Sequence, residues 1–208
     1  MKPRHLSAFL LVALSSLILS LAASAQNFDA DLMRAINTNR NKSLDGTFIF
    51  ITDTEVPMSL GAPLITLGAG FITKDKLLQR KGWENLVSLT VAYVSSTQLK
   101  KIFDRQRPGT KYSFIDPYKN VTENSFPSGH TTLAFSTATT LSLNFKKWYV
   151  VVPAYLWAGA MGYSRMHLGV HYPSDVLAGA VLGTGSAWIS HKAFQWFQKK
   201  PKKLKPVP

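Results

Sequence analysis

Residues 127–175 read PSGHTTLAFSTATTLSLNFKKWYVVVPAYLWAGAMGYSRMHLGVHYPSD. Two apolar segments, Thr131–Phe145 and Trp148–Tyr163, are joined by Lys146 and Lys147. Each is long enough for a helix of about 15 to 17 residues. Ser128, Gly129 and His130 precede the first segment, and Ser164, Arg165, His171 and Asp175 follow the second. A short connection makes consecutive helices antiparallel. The two polar flanks are therefore expected at one end of the pair and the two lysines at the other.

The same alternation extends in both directions. Pro57–Thr73, Trp83–Leu99 and Val176–His191 are further apolar segments, with Pro57 suited to the first turn of its helix. Lys74, Lys76, Arg80 and Lys81 separate the first two, and lysines follow the last. Counting alternate crossings, these basic stretches and Lys146–Lys147 fall on one side, which the positive-inside rule makes cytoplasmic. The expected fold is all-α, a helical bundle with five transmembrane helices, or six if the N-terminal leader is retained. Its two outward loops, Lys100–His130 and Ser164–Asp175, hold nearly all the chemistry.

Residues 1–25 carry Lys2 and Arg4, an apolar run from Leu6 to Ala22, and small residues up to Ala25. That order predicts a signal peptide, with an uncleaved anchor as the alternative. Residues 26–192 form the expected catalytic domain, opening on an amphipathic stretch between Asn27 and Asn41. A turn follows at Asn41–Asp45. The basic segment 193–208 is expected to be a cytoplasmic tail. Export without any cysteine leaves stability to packing alone. The formal charge of +13 is concentrated in the lysine-rich end of the chain, so it points to a membrane surface and excludes nucleic acid as the expected partner.

Three clusters carry reactive side chains. Lys100 and Arg107 stand two turns apart if the preceding helix continues outward, so both could reach one anion, while Lys101 and Arg105 suit a snorkelling helix end. Ser128 is a good N-cap, and a helix start with free N–H groups and a glycine suits an oxyanion. His171 and Asp175 stand one turn apart, a spacing that lets the carboxylate accept the Nδ1 proton and leaves Nε2 as a free lone pair. His167 has too few acidic or sulfur neighbours for a metal, and none is expected. Taken singly, each cluster has an ordinary structural explanation.

Together the residues form KxxxxxxRP (Lys100, Arg107, Pro108), PSGH (Pro127 to His130) and SRxxxxxHxxxD (Ser164, Arg165, His171, Asp175). This three-part pattern resembles the type 2 phosphatidic acid phosphatase family, which shares its site with vanadium haloperoxidases. The resemblance covers Lys100 to Asp175 directly. It implies a phosphatase without cofactor, in which Lys100, Arg107, Arg165, Ser128 and Gly129 bind phosphate. His171, oriented by Asp175, is the implied nucleophile, and His130 the implied acid and base. The expected substrate is a phosphomonoester or pyrophosphate on a lipid, met at the periplasmic face of a bacterial inner membrane. Tyr112, Phe114, Tyr118 and Phe126 are expected to give it apolar contact. The alternatives are a soluble periplasmic acid phosphatase, a vanadate-dependent haloperoxidase, and a non-catalytic lipid- or anion-binding protein.

Overall fold

The computed structural model describes residues 27–197, so the leader and the end of the basic tail lie outside the described residues. Those residues are mostly helical, with no strand among them. A helix over 27–33 runs into a π-helical stretch, Arg34–Thr38. Six longer helices follow: α1 (Asp45–Asp53), α2 (Glu55–Ile72), α3 (Lys76–Phe103), α4 (Gly129–Phe145), α5 (Trp148–His167) and α6 (Pro173–Phe197).

Local chemistry sets the boundaries. Asp75 caps α3, its carboxylate accepting hydrogen bonds from the N–H groups of Leu77 and Leu78. Lys76, Arg80 and Lys81 are consequently helical rather than loop, and α3 begins earlier than its apolar segment. At the other end Asp104 adopts a left-handed conformation, with φ of 40°, and stops the helix. Pro57 falls within the first turn of α2, where backbone N–H groups have no helical partner to lose. Pro173 opens α6 as its first residue.

From α2 onwards, helices consecutive in the chain run antiparallel, while α4 and α6 lie side by side in the same direction: α4 lies between α5 and α6, α3 contacts α2, α4 and α6, and α1 lies on α5. The tightest seam joins α4 to α6. A Cβ placed at Gly179 would come within 2.7 Å of the Ser128 carbonyl oxygen, and one at Gly183 would overlap the Thr132 carbonyl oxygen. These two glycines bring the start of α6, with Asp175, against the start of α4, with Ser128 and His130. The Ser128 N–H donates to the Asp175 carbonyl at 3.0 Å, locking the two helix starts together.

The interior is small and polar while the exterior is large and apolar. Ser88 bonds Ser136 at 2.7 Å, Thr140 donates to Ser88, and Thr139 pairs with Tyr155, all between helices. Outside stand Ile65, Ile72, Leu156, Leu177, Val181 and Trp188, each more than half exposed. The continuous helical stretch Lys42–Ile72, 31 residues long, is the one among the described residues apolar and long enough by composition to cross a membrane.

Candidate active site

His171 is 2% exposed, in the turn between α5 and α6. That turn passes through Gly169 at φ of +71°, and the backbone N–H of Val170 returns to the Arg165 carbonyl. Arg107 Nη1 lies 3.1 Å from His171 Nε2. A guanidinium can only donate, so Nε2 is the acceptor and the ring proton sits on Nδ1. Nδ1 faces Asp175 Oδ2 at 3.4 Å and the Ser125 hydroxyl at 3.4 Å. Ser125 in turn donates to Asp175 Oδ2 at 2.5 Å, so the hydroxyl lies between imidazole and carboxylate. Burial pushes the His171 pKa down to about 3, and Arg107 and Arg165 add to that against the pull of Asp175. The imidazole is thus neutral, and its Nε2 lone pair is engaged by the Arg107 donor.

Asp175 is fully buried and anchored from several sides. Its Oδ2 also accepts from the Tyr172 N–H at 3.0 Å. Its Oδ1 accepts from Arg105 at 2.6 Å, and Arg105 reaches on to Asp29 at 2.7 Å while its guanidinium covers the Tyr172 ring. Asp29 also receives the Ser174 N–H and hydroxyl. Arg105, expected to be a snorkelling residue, is therefore a built part of the site. Its sequence position just before Arg107 was the only available signal, because its partners come from both ends of the chain.

The cationic side chains meet in one cavity of about 640 Å³, lined by Lys100, Arg107, Arg165, Gly129, His130 and His171. Lys100 and Arg107 do not share a helix face as the spacing predicted. Asp104 ends α3 between them, and the chain turns so that Arg107 comes from the following loop. Each is held by a loop carbonyl: Lys100 donates to Asn124 at 2.6 Å, and Arg107 to Glu123 at 2.7 Å. Burial lowers the Arg107 pKa to about 10, with Arg165 contributing, and the side chain keeps its charge. Arg165 is 2% exposed and donates to Thr52 at 2.9 Å, and Ser164 shares that hydroxyl.

Ser128 occupies the N-cap position, but its hydroxyl caps no backbone N–H; it accepts from the Thr131 hydroxyl at 2.9 Å. Gly129 borders the cavity, where a Cβ would lie 4.0 Å from the Lys100 side chain. His167 is tied to Asp45 at 2.9 Å, a structural contact away from the cavity.

The expected aromatic contacts are corrected. Tyr112 and Phe114 pack against Met33, Ile115 and Tyr172, and Phe126 meets Phe103 edge to face with ring centres 4.8 Å apart. The loop between Arg107 and Gly129 borders the cavity through polar residues instead, among them Lys119, Glu123 and Asn124. Tyr118 lies near Arg165, 5.9 Å from guanidinium to ring centre. Sequence reasoning also missed Glu55, which enters the same cavity from α2.

A family model described as the PAP2 superfamily matches residues 81–199. An undecaprenyl-diphosphatase from Sulfolobus acidocaldarius is 30% identical over 89% of this chain and 87% of its own length. The crystal structure of LpxE from Aquifex aeolicus is similar at 31% identity and a TM-score of 0.67, covering 78% of this chain and 93% of that one. The fold is also that of a transmembrane PAP2-type phosphatidylglycerolphosphate phosphatase from Bacillus subtilis, with a TM-score of 0.70 at 24% identity, covering 91% and 98% of the two chains. The chain belongs to the PAP2 superfamily and is a phosphoric-ester hydrolase.

Proposed function

We propose that this protein removes a phosphoryl group from a membrane lipid through a phosphohistidine on His171, without a metal ion. The observation that carries the reading is the meeting of His171 and His130 with Lys100, Arg107 and Arg165 around one cavity. The three cations neutralise the phosphoryl oxygens, and the Gly129 N–H at the start of α4 adds a donor. The His171 lone pair, held by Asp175 and Ser125, attacks phosphorus in line, forming the N–P bond as the bond to the leaving oxygen breaks. His130 acts from its imidazolium form, which the anionic phosphoryl oxygens stabilise beside the surrounding cations, and gives its proton to that oxygen. It then takes a proton from the water that attacks the phosphohistidine, and inorganic phosphate leaves with His171 restored. Arg107, whose Nη1 donates to Nε2, moves that donor to the arriving phosphoryl oxygens.

The membrane setting is supported by the inverted polarity of the bundle, with hydroxyl pairs inside and bulky apolar side chains outside. It is supported too by relatives whose names place them on lipid phosphates, including phosphatidylglycerophosphatase B of Haemophilus influenzae. Five spans, with residues 26–192 as the catalytic unit between a leader and a basic tail, put the cavity at the outer surface and the lysine-rich turns inside. The test is phosphate release by the detergent-solubilised full chain on lipid and soluble phosphoesters. Activity on lipid phosphates that survives EDTA and disappears in His171→Ala is the expected result. Activity restored only by a divalent ion, or unchanged in His171→Ala, would contradict the mechanism.

A further inference from the structure

Glu55 stands in the first turn of α2 and is 6% exposed, yet it borders the same cavity as His130 and Arg165. Its Oε1 has no hydrogen-bond partner, and it forms no ion pair with any of the described residues. A buried carboxylate without a partner is costly, and the mechanism above makes no use of it.

Its surroundings locate it relative to the substrate. α3 runs towards Lys100, so Thr97, Ser96 and Tyr93 lie along the cavity wall one and two turns short of the phosphate cradle. Leu133, one turn past His130 on α4, continues the opposite wall. A leaving group protonated by His130, with a lipid tail that must return to the bilayer, runs along these walls. The part next to the phosphate therefore meets Glu55, Ser96 and Thr97; the two hydroxyls donate to the Tyr93 carbonyl and keep lone pairs to accept, a lining that suits hydroxyl groups better than a hydrocarbon chain.

Resting on the proposed lipid phosphatase activity, we infer that Glu55 is a substrate-contacting specificity residue. Its carboxylate accepts a hydrogen bond from a hydroxyl group beside the scissile phosphate. This selects phosphate monoesters of glycerol- or sugar-headed lipids over polyprenyl diphosphates. A hydroxyl donating to a carboxylate makes a charge-assisted bond, stronger than one between neutral groups. A polyprenyl diphosphate would instead bring its second phosphate to the carboxylate, and like charges repel. A carboxylate that merely balanced the charge of Arg165 would affect every substrate alike, because all share the same phosphoryl group.

The test measures kcat/KM for the solubilised full chain on phosphatidylglycerophosphate and on undecaprenyl diphosphate in matched micelles. The wild-type protein should prefer the glycerol-headed substrate. Glu55→Ala should lose about tenfold or more on it, as expected for a hydrogen bond to a charged group, and gain on the diphosphate. Glu55→Gln, nearly isosteric and still an acceptor, should move the same ratio less; its ratio remains readable if the alanine variant cannot be purified. An active wild type whose ratio neither variant moves, or a larger loss on the diphosphate, overturns the role of Glu55 alone. A wild type that releases phosphate from no lipid refutes the proposed function, and this inference falls with it.

Discussion

The two sides of the cavity are built differently. On the His171 side every charged group is spoken for: Asp175 accepts from Arg105, Ser125 and the Tyr172 N–H, and Arg105 is held in turn by Asp29. On the Arg165 side, Arg165 Nε and Glu55 Oε1 are buried without partners among the described residues. A fully satisfied network fixes a nucleophile in one orientation before substrate arrives. In the proposed reading, a ligand supplies the partners that Arg165 and Glu55 lack. If one wall serves geometry and the other recognition, as proposed, substitutions should separate the two.

The largest effect is expected on the preassembled wall. Asp175→Asn keeps the shape but cannot hold the Nδ1 proton as a carboxylate does, so kcat should fall roughly 10²- to 10⁴-fold while leaving weak turnover. Arg105→Met, which removes one charge-assisted bond to Asp175, should cost about 10- to 100-fold in kcat with little change in KM. Both are read by steady-state phosphate release. A KM effect without a kcat effect in either variant would erase the distinction between the walls.

The pH dependence sharpens the same contrast. Because the His171 pKa is pushed down to about 3, its active neutral form persists as pH falls and is lost only on passing through that value. Corrected for ionisation of the substrate phosphate, kcat/KM should show no enzyme-derived acid limb between about pH 5 and 8, the range in which an ordinary histidine titrates. A limb near the usual histidine value would mean that the ring is not desolvated as the structure has it.

The alternation of apolar segments with basic turns made the bundle legible, because helix period and loop charge are local properties. His130, Arg165, His171, Asp175, Lys100 and Arg107 were legible as a set because their spacing is shared by a family. The supports were not. Ser125 precedes the PSGH motif without being part of it, and Asp29 reaches Ser174 across 145 positions of chain. Nothing in the local sequence around Glu55 indicates that α2 carries it into the cavity. The error over Lys100 and Arg107 has a specific cause: continuing a helix by period ignores its stop, and here an aspartate in a left-handed conformation supplies one. The misplaced aromatics have another, since Tyr112 and Phe114 were free to pack on the N-terminal helix around Met33.

The most direct measurement is rapid acid-free quenching of the solubilised protein with a substrate labelled in its terminal phosphate, followed by localisation of the label. The account predicts an alkali-stable, acid-labile phosphoryl group on His171, formed in the wild type and absent from His171→Ala. Labelling that persists in His171→Ala, or phosphate released in a burst-free single turnover with no protein-bound label at any time, would contradict it.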